Sequence, residues 1–372
     1  MRKLTKITLA ILTSFAMSTI SYAGELTVTG NAKATYTILS SDSTLGSTSG
    51  GKGIGIANEF SLGASGELDN GITWAYAQDI DGATVQDDAK ITLTSDAFGT
   101  VGIFVSEGGI SSKYAFDASA YGAGSDNGYS GAAGVHDAGA TGAAYTYGDD
   151  IGGYNNFQYH TPAGLLPFDI AAKFAYAPNT GANANASSHA VGSLPSTEDG
   201  NTAMQGQVTM APIDGLSVSL SYMEKEGESG ASKVQDYQAG GGAIKYSWGP
   251  VTAGYGKFYV APALGIQGTG TYVQHYENDA LSVGFAVNDA ISVSWTDESS
   301  ESNQQQIVGG AGPTTAAATQ VDSTIETTIQ TAQAAYTAGG MTLSLSLKDV
   351  ENANYTNAKD IKETIIAMVL AF

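Results

Sequence analysis

From residue 26 onward, apolar and polar residues alternate with a period of two along nearly the whole chain, and no stretch competes with helical spacing. Leu26, Val28, Ala32, Ala34, Tyr36 and Ile38 share one parity; Thr27, Thr29, Asn31, Lys33 and Thr35 share the other. The pattern returns with Phe60, Leu62, Ala64 and Leu68 against Glu59, Ser61, Ser65 and Glu67. It returns again with Leu216, Val218, Leu220 and Tyr222 against Ser217, Ser219 and Ser221, and with Met341, Leu343, Leu345 and Leu347 against Thr342, Ser344, Ser346 and Lys348. Each such segment predicts a strand with one apolar face and one wet face.

The segments are joined by connections of two kinds. Residues 69–71, 95–99, 161–167, 212–215, 249–250, 288–290 and 338–340 read as seven short turns rich in Gly, Pro, Asn and Asp. Residues 40–53, 80–86, 107–150, 178–200, 225–234, 260–270, 298–323 and 350–360 read as eight longer, polar, Gly-rich connections. Fifteen connections join sixteen strands, with both termini on the short-turn side. A soluble β-sandwich also alternates. The apolar parity here, however, is Ala, Val, Leu, Ile and Tyr throughout, opposite Ser, Thr, Gln, Gly and Lys, which favours an all-β, sixteen-stranded antiparallel transmembrane barrel. In hydrocarbon a sheet avoids unpaired edges only by pairing its first strand with its last. The last segment suits that role, since Ile366, Met368, Leu370 and Phe372 alternate to the final residue. Trp74, Tyr76, Phe157, Tyr159, Phe168, Tyr176, Tyr222, Tyr246, Trp248, Phe285, Trp295 and Phe372 lie on the outward parity near strand ends, as interfacial aromatic girdles do.

The N-terminus has a separate reading. Arg2, Lys3 and Lys6 precede an apolar stretch over residues 7–20, followed by Ser21-Tyr22-Ala23, the small-residue spacing of a signal-peptidase site. A stretch of roughly 14 residues is short of the ~20 that span a bilayer as a helix. Residues 1–23 are therefore expected to be a cleaved signal, leaving residues 24–372 as a single barrel domain.

Charge narrows the partners. The chain carries 36 acidic and 15 basic residues, a formal charge of −21. Loss of Arg2, Lys3 and Lys6 leaves 36 against 12, or −24. Nucleic acid is an unfavourable partner for such a polyanion. Cys is absent, so no disulfide forms.

Chemistry-bearing motifs are few. His136, His160, His189 and His275 lack metal-ligand spacing, and no metal or other cofactor is expected. The glycine runs at 51–55 and 240–242 lack the strand-loop-helix setting of a phosphate cradle. Acidic groups such as Asp126 or Glu198-Asp199 have no EF-type spacing and read as solvated. Parity places Lys33, Lys90, Lys173, Lys245 and Lys348 on the Ser/Thr face.

Three pieces carry a resemblance: SDAFGTVGIF at 95–104, NNFQYHTPAGL at 155–165, and the terminal Phe372. With the connection count, they make the chain resemble the trimeric general porins of Gram-negative outer membranes. The resemblance implies a homotrimer in lipid and lipopolysaccharide, with the connection after the fifth strand, residues 107–150, folded into each lumen as a constriction loop. It implies an acidic loop of Glu107, Asp117, Asp126, Asp137, Asp149 and Asp150, with a single Lys113, opposed to the lysine wall. It also implies a membrane-assembly role for Phe372. The family builds its basic wall from arginines, whereas no Arg is left here once Arg2 is removed. The expected function is passive diffusion of small hydrophilic solutes and ions with a preference for cations, without enzymatic activity. A substrate-selective channel and a barrel adhesin or enzyme are the alternatives.

Overall fold

The computed structural model describes residues 26–41, 51–81, 84–119, 122–125, 148–178, 180, 202–226, 233–265, 270–308 and 319–371. The strands are β1 (Leu26–Ser41), β2 (Gly51–Glu67), β3 (Thr73–Asp81), β4 (Thr84–Ser95), β5 (Gly99–Val105), β6 (Asn156–His160), β7 (Ala171–Ala177), β8 (Ala203–Met210) and β9 (Leu216–Lys225). They continue as β10 (Lys233–Gln235), β11 (Tyr237–Trp248), β12 (Val251–Ala261), β13 (Leu264–Gly265), β14 (Gly270–Asn288), β15 (Ile291–Val308), β16 (Thr319–Ala338), β17 (Met341–Glu351) and β18 (Ile361–Ala371). β10 and β13 form a separate two-stranded ribbon; the other sixteen close into one antiparallel barrel.

Closure is made by β1 and β18, paired from Asn31↔Ala371 to Ser41↔Ile361. This ladder leaves no open sheet edge, the condition a sheet must meet in hydrocarbon, where each unpaired backbone group costs several kcal/mol. Directly paired residues share a face, so the register carries the predicted parity round the barrel. One face exposes Ile54, Ile91, Ile103, Phe157, Leu220, Tyr222, Trp248, Leu281, Trp295, Leu345 and Ile366. A soluble protein would bury such a continuous apolar surface; on a closed barrel it meets lipid.

The strands run further than their polarity predicts. Of residues 298–323, expected as a long connection, 298–308 and 319–323 are ladder: β15 and β16 pair from Val308↔Thr319 to Ile291↔Tyr336. Along their outward side, Val293, Trp295 and Tyr336 give way to Asp297, Glu301 and Glu326. Beyond the lipid no face has to be apolar, so alternation disappears while backbone pairing continues. Likewise β3 and β4 approach within two residues of each other, across a bulge between Gln78 and Ile80. The signal segment 1–23, Phe372, Asp126, Asp137, His136 and His189 lie outside the described residues.

Candidate functional site

The second face of the barrel is not uniform. On β1–β5 its positions are mostly Thr, Ser, Ala and Gly, with Asn31, Lys33, Leu39, Glu67, Asp79 and Lys90 among them. Apart from Gly99 only Phe104 among the described residues of these strands is buried, and Leu39, paired with Glu363, packs against the covered side. From β8 to β18 the same face is buried almost continuously: Gln205, Ser219, Ser221, Phe258, Ser282, Thr296, Glu298, Ile329, Lys348 and Glu363 are all inaccessible.

The connection after β5 accounts for much of this cover. Ser112 donates its backbone N–H to Ser221 Oγ (2.8 Å), and its hydroxyl shares a hydrogen bond with Ser219 Oγ (2.6 Å). Further along, the Ala118 N–H donates to Ser282 Oγ (2.9 Å), which itself donates to Asp117 Oδ1 (3.1 Å). Lys245 Nζ reaches the Asp117 carbonyl oxygen (3.0 Å), and Gln333 Nε2 reaches the Gly122 carbonyl oxygen (3.0 Å). Both the N–H and the hydroxyl of Ser125 donate to the buried Glu298 carboxylate. The described part of the connection thus crosses β9, β11, β14, β15 and β16 on their wet-parity face.

Two glycines make the approach close enough. A Cβ on Gly254 would overlap the Phe116 carbonyl oxygen, and one on Gly284 would overlap that of Ala118. Phe116 then packs with Ala243, Phe258, Ala280, Ile329 and Val350 as a small core inside the barrel. A second core joins Ile110 and Ile151 to Ala175, Met223, Val260 and Tyr276. The 352–360 connection adds to the cover, since Tyr355 shares a hydrogen bond with Ser300 Oγ (2.6 Å) and packs on Tyr276 with ring centroids 5.1 Å apart.

The expected charged residues separate accordingly. Lys90 forms an ion pair with Glu107 at the root of the connection, both half-exposed. Lys33 and Lys173 lie on inward positions, Lys173 paired with His160 across the β6–β7 ladder. Lys245 is bound to loop backbone, and Lys348 is paired with Glu363 (3.3 Å) with side chains only 6% and 1% exposed. Among the acids, Asp117 accepts from the N–H and hydroxyl of Ser119 as well as from Ser282. Asp150 accepts from the N–H groups of Ile110 (2.9 Å), Ser111 (3.0 Å) and Gly152 (3.2 Å), and Asp149 accepts from the Asp150 N–H (2.8 Å). Lys113 sits 5.3 Å from the centre of the Tyr114 ring. His160 is hydrogen-bonded to Gln158 (2.7 Å) and His275 stacks on Tyr259 (5.2 Å).

Sequence reasoning passed over Glu298, which it placed in a loop, and Asp79, whose pairing with Ser61 puts it on the open wall. Strand parity would have found Asp79; nothing in the local sequence separates Glu298 from a solvated acid.

The barrel superposes on several solved structures. The anion-selective porin from Comamonas acidovorans matches with a TM-score of 0.59 at 14% identity, covering 94% of this chain and 100% of that one. Its fold is that of the porins. OmpF of Salmonella typhi, solved with daunomycin, matches with a TM-score of 0.57 at 11% identity over 94% of this chain and 98% of that one. OmpT, an outer membrane protein of Vibrio cholerae, matches with a TM-score of 0.59 at 10% identity over 95% and 99%. At these identities the likeness to the porins is one of fold. No family model matches the sequence, and no curated protein matches it significantly.

Proposed function

We propose that the mature chain is a passive, water-filled channel of a bacterial outer membrane, through which small hydrophilic solutes and ions diffuse. The observation that carries this reading is the split lumen: a closed barrel with lipid-facing apolar residues outside, one inner wall left wet, and a connection docked on the other. Such a passage needs a size limit and a field, and no nucleophile or cofactor. We read it as a non-enzyme. The constriction lies between the open wall and the docked connection. Lys33, Lys90 and Lys173 supply its basic groups, Glu107 and Asp117 its acidic border, with Asp126, Asp137 and Asp149 assigned to the same connection. Lys245 and Lys348, bound to backbone and to Glu363, act as supports of the covered wall. The formal charge of −21, or −24 after cleavage behind Ala23, supports a preference for cations.

The porin fold further supports a homotrimer in outer-membrane lipid and lipopolysaccharide, with Phe372 serving assembly. One neighbour is named as an anion-selective porin, so the sign of selectivity follows from each chain's own charges rather than from the fold. Purified mature protein in a planar bilayer should give stepwise, ohmic conductance with a cation-shifted reversal potential in a salt gradient. Folded barrels that never conduct would overturn the reading. Saturable block by one solute class would favour a substrate-selective channel instead.

A further inference from the structure

We propose that the cation preference is set by Asp79 and Glu67 on the open wall, while the described carboxylates of the covering connection act as its anchors. The inference rests on the channel reading above and assigns its selectivity to residues outside the connection.

The register locates both groups. Asp79 pairs with Ser61 and Glu67 with Thr73, so both share the inward parity of Ala77, the partner of Lys90. Glu67 is exposed and Asp79 half-buried. Lys90, two residues along the face from Asp79, is turned to Glu107 instead. Neither Asp79 nor Glu67 enters a hydrogen bond or ion pair among the described residues. Each therefore acts on the aqueous path as a single negative charge.

The connection's acids are placed differently. Glu107 is paired with Lys90. Asp117 takes three donors, and the Lys245 ammonium lies 3.0 Å from its carbonyl oxygen. Asp150 caps three backbone N–H groups and orders the chain at both ends of the connection. A carboxylate beside a cation or a fan of donors projects a dipole field, which falls off with distance faster than that of a lone charge. An ion crossing the opening consequently meets the open wall's charges at full strength. The docked acids fix where the opening lies.

The test is the reversal potential of the full mature barrel in a planar bilayer under a KCl gradient. The double variant Glu67→Gln/Asp79→Asn should lower the cation-to-anion permeability ratio by about two- to fivefold, with single-channel steps retained. The change should shrink at 1 M salt, where the Debye length is about 3 Å. Glu67→Asp/Asp79→Glu, which keeps both charges, should restore the ratio, and Asp297→Asn on the outward face should leave it unchanged. Asp117→Asn and Asp126→Asn/Asp137→Asn should each move it less than the wall variant. An unchanged ratio in the wall variant, or a larger change in either connection variant, overturns the assignment. Wild-type barrels that fold and do not conduct overturn the channel reading itself, a result separable from an unchanged ratio in a conducting channel.

Discussion

The two halves of the inner surface start from similar residue types and end in opposite states. On β1–β5, Thr29, Ser61, Asp79, Lys90 and Thr92 line a wall with almost nothing buried among its described residues. On β8–β16, Ser219, Ser221, Ser282 and Thr296 are sealed under a second layer of chain. The difference lies in the chain docked on one wall and in the seat it finds there. The covered wall has Gly254 and Gly284, where backbone can touch backbone, and Ala243, Ala280, Ile329 and Val350, which give Phe116 an apolar seat. The open wall has small inward residues too, such as Gly53, Gly55 and Gly63, but among the described residues no other backbone lies within 4 Å of where their Cβ atoms would be. A wet-parity face is therefore either a water lining or a core, depending on whether a covering segment docks on it.

Charge pairs sharpen this contrast most. Lys348→Met should destabilise the barrel by about 3–5 kcal/mol, because Glu363 is left buried without its cation. Lys348→Met/Glu363→Gln should recover most of the loss. Urea unfolding of the refolded barrel measures both, and a loss no larger than that of an exposed pair would mean that this wall is wet. Next in size, Gly254→Leu should force Phe116 off β12 at a cost of about 1–3 kcal/mol. Displacing the connection should also raise unitary conductance, read directly from single-channel records. An unaltered conductance would show that the connection does not border the path. Smallest, Lys90→Met on the open wall should cost under about 1 kcal/mol, because its half-exposed pair with Glu107 is screened by water and salt. Its unfolding midpoint should differ from wild type less in high salt than in low salt.

Much of the barrel was legible in the sequence because lipid imposes a strict rule on each strand. Leu343, Leu345 and Leu347 opposite Ser344, Ser346 and Lys348 can be read without any knowledge of their neighbours. Legibility failed where that rule lapses. Residues 298–306 are polar on both faces, so a strand there looks like a loop, although its backbone pairs regularly. The fate of inward residues was also hidden. Lys33 and Lys348 share one parity, yet Lys348 is buried with Glu363 because of what lies over β17 and β18, a tertiary fact. Inward glycine is a mark of the covering only in part: Gly254 and Gly284 lie against another backbone, whereas Gly53, Gly55 and Gly63 on the open wall do not. The inward fold of Tyr355 carried no such mark.

The native chain contains no cysteine, so single cysteines can report water directly. Ser61→Cys on the open wall and Ser221→Cys beneath the docked connection should be compared in folded barrels with a charged, membrane-impermeant thiol reagent, following channel current. Rapid modification with loss of current at Ser61→Cys and protection at Ser221→Cys is the predicted result. Equal reaction at both sites, or none at Ser61→Cys, would contradict a lumen that is open along β1–β5 and closed by its own chain elsewhere.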